Sequence, residues 1–267
     1  MLGFALLGML GLGLIFNIGS GDDDDDTSDE RGTREQGTED NETFDLGDGD
    51  DTVFAAAGND LVSAGPGDDR VFGGDGNDFL VGGEDKDFIR GGADDDALFG
   101  GAGNDVLNGD VGDDALFGAD IIDSEAWAEF LIPRDGDAED EDFEDLDLLD
   151  PDGDPMEADT LNGGVGDDLL VAGSNDVVDT GTGSDTVNVG DWVDPSAPVN
   201  MIDFDPAKDA IVYSFSGSAD PTVLFGEDDS GTATLTVNGQ IIALFPGVDF
   251  FDLVDETSVF LERLDAG

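Results

Sequence analysis

Residues 73–90 read G-G-D-G-N-D-F-L-V-G-G-E-D-K-D-F-I-R, which is one nine-residue pattern written twice. The consensus is G-G-x-G-x-D-x-U-x, where U is aliphatic and the nine positions are slots one to nine; the second copy departs from it only at slot four, where Asp85 replaces glycine. The pattern occurs twelve times along the chain, always with an aspartate in slot six and Val, Leu or Ile in slot eight. The slot-six aspartates are Asp51, Asp60, Asp69, Asp78, Asp87, Asp96, Asp105, Asp114, Asp159, Asp168, Asp176 and Asp185.

A fixed period of this kind is typical of a solenoid, in which each unit packs against its neighbours. Slots one to six predict a turn, and slots seven to nine predict a short strand. Strand alternation then places slot eight inward and slots seven and nine outward. Two units make one coil of eighteen residues, so each unit stacks on the second unit after it and Asp51 pairs with Asp69.

The composition excludes several classes of function. The chain has 267 residues, 68 of them acidic and 8 basic, for a formal charge of −60. Repulsion on this scale opposes folding, requires a cationic counter-species, and argues against nucleic acid or an anionic membrane surface as a partner. Cysteine and histidine are both absent, which excludes thiolate or imidazole metal sites and histidine-based catalysis.

The turn slots carry the candidate metal ligands. Glycine in slots two and four permits positive φ and turns backbone carbonyls towards a shared centre. The candidate glycines are Gly65, Gly67, Gly74, Gly76, Gly101, Gly103, Gly164, Gly166, Gly181 and Gly183. Together with the slot-six carboxylates they offer only oxygen ligands, which favour Ca²⁺ over softer metals. Twelve units allow at most roughly ten such sites between coils.

The thin core predicts that folding depends on the metal. Each coil supplies only two aliphatic slot-eight side chains, yet it must order eighteen residues and stack carboxylates. We therefore expect the repeats to be unfolded without Ca²⁺ and folded with it.

The chain divides into four regions. Residues 1–20 are apolar and uncharged, which favours a membrane-targeting or anchoring segment over a buried or disordered end. Residues 21–45 include Asp22 to Asp26 in one run and are predicted to be an acidic disordered linker. Residues 46–190 form the repeat domain, and an insertion at 120–157 splits one unit within its turn.

Residues 191–267 change character and predict a small antiparallel β cap over the end of the solenoid. The stretches starting at Ala210, Thr222 and Thr232 read as strands, and Asn238-Gly239 is a strong hairpin signal.

Several features leave two interpretations open. Asp85 and Asp94 replace the slot-four glycine and are either extra ligands or solvated residues in a left-handed turn. The unit at 172–179 has eight residues, with Asn175 near the glycine slot, and predicts a local irregularity. Aromatic residues in the outward slots mark a contact surface or are covered by the insertion or the cap. These are Phe54, Phe72, Phe79, Phe88, Phe99 and Phe117.

The repeats G73-G-D-G-N-D-F-L-V and G100-G-A-G-N-D-V-L-N closely resemble the RTX (hemolysin-type, repeat-in-toxin) calcium-binding family. The resemblance implies an all-β fold, a right-handed parallel β-roll, with Ca²⁺ held by the slot-six aspartates and by carbonyls of the first four slots. It also implies export by type I secretion machinery through an uncleaved C-terminal signal. The segments starting at Asp203 and Asn238 resemble the tail that follows such repeats.

We therefore expect a non-catalytic, secreted or cell-surface calcium-binding protein whose roll folds after export. The chain contains neither H-E-x-x-H nor G-x-S-x-G, and its acidic residues are too numerous for one pair to stand out as acid and base. The alternatives are a secreted polysaccharide-active enzyme, or an adhesin or biofilm-matrix component that uses the outward phenylalanines.

Overall fold

The computed structural model describes residues 32–118, 157–216, 219–256 and 258–264. The expected anchor at 1–20, the acidic run and the interior of the insertion lie outside the described residues. Among the described residues, no helix has the length and apolar character needed to cross a membrane.

The described residues form twenty strands and one short helix. The strands are β1 (Arg34–Gln36), β2 (Thr43–Asp45), β3 (Thr52–Ala57), β4 (Leu61–Pro66), β5 (Arg70–Asp75), β6 (Phe79–Glu84), β7 (Phe88–Ala93), β8 (Ala97–Ala102), β9 (Val106–Val111), β10 (Ala115–Phe117), β11 (Thr160–Val165), β12 (Leu169–Val171), β13 (Val177–Asp179), β14 (Thr186–Gly190), β15 (Val199–Met201), β16 (Ala210–Phe215), β17 (Val223–Glu227), β18 (Ala233–Val237), β19 (Gln240–Phe245) and β20 (Ser258–Arg263). The helix is α1 (Phe250–Glu256).

These strands make two sheets that face each other. The odd sheet runs β1-β3-β5-β7-β9-β11-β13-β15-β19-β18-β17, and the even sheet runs β2-β4-β6-β8-β10-β12-β14-β16-β20. Successive strands of the repeats therefore alternate between the sheets, and neighbours within a sheet are parallel. The predicted parallel β-roll is confirmed.

The register follows the eighteen-residue period. Val53 aligns with Val71, and Val71 aligns with Ile89. The slot-eight side chains are fully buried and form the core between the sheets. They are Val53, Val62, Val71, Leu80, Ile89, Leu98, Leu107, Leu116, Leu161, Leu170, Val178 and Val187. The predicted stacking of each unit on the second unit after it is correct.

The strands are longer than the sequence predicts. A six-residue strand such as β5 holds slots seven to nine and the first three slots of the next unit. Gly74 in slot two has a φ of 132°, yet it stays in register with Gly92 of the next coil. Left-handed glycines therefore bend the strand without ending its pairing, and the turn is confined to slots four to six.

The roll begins before residue 46. Strand β1 pairs with β3 through Arg34 and Thr52, and β2 pairs with β4 through Thr43 and Leu61. The prediction of a disordered linker up to residue 45 is therefore wrong for its last part. A terminal unit needs only backbone N–H and C=O groups to join the sheet, so its sequence need not follow the repeat pattern.

The register continues across the insertion. Leu107 in β9 aligns with Leu161 in β11, and Leu116 in β10 aligns with Leu170 in β12. The insertion therefore leaves the stacking of the coils on either side unchanged. After it, the predicted local irregularity is present, because the short unit shifts the period by one residue. Asn175 adopts a left-handed φ of 72° there.

The C-terminal region is only partly an antiparallel cap. Strands β17, β18 and β19 are antiparallel, and the turn between the last two has positive φ at both Asn238 and Gly239. Strands β15, β16 and β20 instead extend the two parallel sheets. The roll therefore reaches further than residue 190, because Ile211 repeats the inward position of Val187.

Candidate calcium sites

The slot-six aspartates form two continuous ladders, one along each edge of the roll. In ten of the twelve, the backbone N–H donates to Oδ1 of the slot-six aspartate in the next coil; for example, Asp69 N lies 2.8 Å from Asp87 Oδ1 and Asp78 N lies 2.8 Å from Asp96 Oδ1. The pairs predicted from the period are therefore in contact. Across the insertion, Asp105 N likewise donates to Asp159 Oδ1 at 2.7 Å.

All twelve aspartates are buried, with side chains no more than 3 % exposed. Their second oxygen, Oδ2, sets them apart from ordinary capping carboxylates. In nine of them this oxygen is buried and accepts no hydrogen bond from the described residues. They are Asp51, Asp60, Asp69, Asp78, Asp87, Asp96, Asp114, Asp168 and Asp185. A buried carboxylate oxygen without a partner is costly unless a cation meets it.

The slot-one glycine faces this oxygen. A Cβ added at Gly73 would lie 2.2 Å from Asp78 Oδ2 and 2.8 Å from the carbonyl oxygen of Gly91. At Gly82 the corresponding distances are 2.2 Å to Asp87 Oδ2 and 2.6 Å to the Gly100 carbonyl. One carboxylate oxygen and one carbonyl of the next coil thus converge on space that any side chain would fill.

This donor set fits Ca²⁺, which takes carboxylate and carbonyl oxygens in flexible geometry. The same arrangement recurs at Gly109 with Asp114 and at Gly163 with Asp168. Slot one was absent from the glycines singled out by sequence, although G-G at slots one and two is part of the repeat. The first glycine of that pair is therefore the sequence feature that could have located the space beside Oδ2.

The predicted slot-two and slot-four glycines stack closely, coil upon coil. Positive φ is present in Gly65, Gly67, Gly74, Gly76, Gly101, Gly164, Gly166 and Gly181. The expectation of positive φ is wrong for Gly103 and Gly183, where close approach is the constraint instead. A Cβ on Gly103 would lie 1.6 Å from the Asp85 carbonyl oxygen. The role of these glycines as carbonyl ligands remains a prediction.

The electrostatics of the ladders favour a cation. Burial raises the pKa of Asp78 to about 8 and that of Asp96 to about 9, and neighbouring carboxylates add to the rise. Hydrogen bonds from backbone N–H groups lower these pKa values, but by less than burial raises them. A divalent ion between coils would remove both penalties together.

The two departures from slot four are solvated turns. Asp85 and Asp94 are exposed and adopt a left-handed φ of 74°. Their carboxylates therefore stand apart from the buried ladders.

The outward aromatic residues separate into two groups. On the even sheet, Phe79, Phe99 and Phe117 are no more than 4 % exposed, which agrees with the second of the two interpretations, that these outward rings are covered. On the odd sheet, Phe54 and Phe72 are half-buried and stack at 4.7 Å between ring centres.

A parallel roll with ladders of buried carboxylates defines a repeat protein whose donor atoms suit oxygen-ligated cations. The family model described as RTX calcium-binding nonapeptide repeat (4 copies) matches residues 36–71, 63–98, 81–116, 90–124 and 157–187. The chain therefore carries RTX calcium-binding nonapeptide repeats over these residues, as the sequence resemblance predicted. No curated protein matches it.

Proposed function

We propose that this protein is a non-catalytic extracellular calcium-binding protein whose roll folds when Ca²⁺ binds after export. The observation that carries the proposal is the repeated buried Oδ2 that accepts no hydrogen bond from the part of the chain that the structure describes, as at Asp78 and Asp96. A folded chain without a cation would bury these groups one above another, which is unfavourable on a molecule of charge −60.

The slot-six carboxylates and the slot-one carbonyls of the next coil would hold the ions. Bound Ca²⁺ supplies positive charge that neutralises the stacked carboxylates. The protein itself supplies the fixed spacing: the N–H of one aspartate holds Oδ1 of the next, which leaves Oδ2 directed at the slot-one position. Folding and binding would then be one equilibrium.

Extracellular action follows from this coupling. A chain that needs Ca²⁺ to fold would stay unfolded where the ion is scarce and would fold where it is abundant. Type I secretion machinery is the proposed route, and residues 1–20 are the proposed membrane tether. Both rest on the sequence.

The absence of catalysis is also a proposal. It is supported by the lack of histidine and cysteine in the whole sequence. The most buried carboxylates are committed to the ladder, so a polysaccharide-active enzyme is the weaker alternative. An adhesive surface would have to use Phe54, Phe72 and Phe88 on the odd sheet, since these are half-buried rather than enclosed.

The decisive experiment is far-ultraviolet circular dichroism during a Ca²⁺ titration of calcium-free protein, with Mg²⁺ as the control ion. We expect strand signal to appear with Ca²⁺ and not with an equal concentration of Mg²⁺. Strand signal already complete in chelator would contradict metal-coupled folding.

A further inference from the structure

The carboxylates at the ends of the two ladders differ from those inside. Glu42 takes slot six of the first unit on the even sheet, because Leu61 N donates to its carbonyl at 3.0 Å and its own N–H donates to Asp60 Oδ1 at 2.7 Å. Its carboxylate is met on both oxygens by one residue. Thr38 N donates to Oε2 at 2.7 Å, and Thr38 Oγ1 donates to Oε1 at 2.9 Å.

The other end of the even ladder is closed in the same manner. Asp209 takes slot six there, since Asp185 N donates to its Oδ1 at 3.1 Å. Its Oδ2 accepts from Asp205 N at 2.8 Å and from Thr180 Oγ1 at 3.1 Å. Asp209 was not among the predicted aspartates, because Phe204 to Lys208 lack the turn glycines, although Asp209 and Ile211 fit slots six and eight.

The odd ladder ends at Asp176. Its Oδ1 accepts from Asp159 N at 2.9 Å, as in the interior, but its Oδ2 accepts from Gly173 N at 2.7 Å. The eight-residue unit brings this amide close enough to donate. The next coil offers no further carboxylate, because Val199 occupies slot six there and Asn200 occupies slot seven.

These contacts place a hydrogen-bond donor where the interior leaves an oxygen without one. The coil after Asp176 supplies no slot-six carboxylate to share an ion. At Glu42 the Ala55 carbonyl of the next coil does face the Gly37 position, as in the interior, but Thr38 already donates to both carboxylate oxygens. An N–H or hydroxyl directed at the oxygen satisfies it without an ion.

We infer that the calcium ladders stop short of the ends of the roll, and that Glu42, Asp176 and Asp209 are closed by hydrogen bonds instead of calcium. This inference rests on the proposed function, since it divides the slot-six carboxylates of a calcium-binding roll into ligands and metal-free closures. It removes Asp176 from the ligands predicted by sequence.

The test counts bound calcium by native mass spectrometry of the full chain. The end variants E42Q, D176N and D209N are compared with the interior variants D78N and D87N, which make the same change of charge. We expect the end variants to keep the wild-type number of ions and each interior variant to lose at least one. Loss of an ion from any of the three end variants, as from D78N, would overturn the inference.

A second measurement needs no substitution, so a variant that fails to fold does not decide the matter. Amide hydrogen exchange of the calcium-saturated wild-type chain reports on the donors themselves. We expect the amides of Thr38, Gly173 and Asp205 to be protected. If calcium took these carboxylates, the three amides would be released and would exchange rapidly.

The two proposals fail differently. A wild-type chain that binds no calcium contradicts the proposed function. A wild-type chain that binds calcium, with ions lost equally from end and interior variants, contradicts only the division of the ladder.

Discussion

The backbone amide of Asp78 donates a hydrogen bond to Oδ1 of Asp96 in the next coil, at 2.8 Å. The other oxygen of Asp96 is buried and accepts no hydrogen bond from the described residues. Each carboxylate is thus held in place by one oxygen and left open at the other. Because one oxygen is held and the other is open, the hydrogen-bond ladder presents a row of oriented oxygen atoms that can bind cations.

Replacing Asp96 with asparagine should weaken the calcium-bound fold. Asparagine keeps an acceptor for the Asp78 amide but removes the charge from the open position. A site filled to ten times its dissociation constant contributes about 1.4 kcal/mol, so we expect a loss of at least that order when calcium is abundant. Urea denaturation in calcium measures it.

The matched control for that substitution is Asp94→Asn. Asp94 is two residues away in sequence but exposed and left-handed, a conformation that asparagine tolerates. We expect a change within about 0.5 kcal/mol. Equal effects of the two substitutions would show that bulk charge, rather than the ladder, governs stability.

Filling the slot-one space should weaken calcium binding. In Gly82→Ala, the new Cβ would lie 2.2 Å from Asp87 Oδ2 and 2.6 Å from the Gly100 carbonyl. Because these are the two oxygens that converge on the proposed ion, the calcium midpoint of the folding transition should rise. Gly226→Ala is the control, since its nearest contact is Thr234 Oγ1 at 3.3 Å. An unchanged midpoint for Gly82→Ala would mean that the ion lies elsewhere.

The repeated core could be predicted from sequence because slot eight is periodic. One aliphatic residue every nine positions fixes both the inward face and the coil length, and Val71 stacks accordingly on Val53. The ends could not be found in this way. Thr33 and Glu42 occupy slot six without being aspartate. They can start the two ladders because only their backbone N–H groups are needed to donate to the aspartate of the next coil.

The candidate sites were also only partly predictable. The spacing identified the aspartates, since a plain turn accepts several residue types and does not require a carboxylate at the same slot in every unit. It did not show which glycine faces the open oxygen, because that depends on the three-dimensional path of the turn. Nor did it show that Asp176 is met by Gly173, because one deleted residue brings that amide into reach.

Calcium affinity should rise with pH. In the calcium-free roll, burial raises the pKa of Asp87 to about 8 and that of Asp96 to about 9, from an ordinary value of 3.8. Calcium that binds to the folded roll must therefore displace protons, and its binding to that form should tighten between about pH 6 and pH 9, whereas binding to the unfolded chain, whose aspartates are already ionised, should release none. Calorimetry in buffers of different ionisation enthalpy would detect the released protons. Affinity that does not change over this range would contradict the prediction.

The same shifts predict the pH dependence of the calcium-free fold, with the opposite sign. The folded form binds more protons than the unfolded chain between about pH 4 and pH 9, so its stability falls as pH rises through this window. Protonation of the buried aspartates in acid should thus stabilise the fold in part, as calcium does. Circular dichroism of calcium-free protein should show more strand at pH 5 than at pH 8, and equal spectra would count against it.

The two outer faces of the roll should respond differently to loss of an aromatic ring. Phe99 and Phe72 both occupy slot nine, but Phe99 is 1 % exposed and stacks on Phe117 at 4.5 Å, whereas Phe72 is half-buried. Phe99→Ala should therefore cost about 3–5 kcal/mol, as for a buried ring, and Phe72→Ala clearly less. Denaturation of both variants in saturating calcium measures the difference. Equal losses would mean that the even face is no better covered than the odd face.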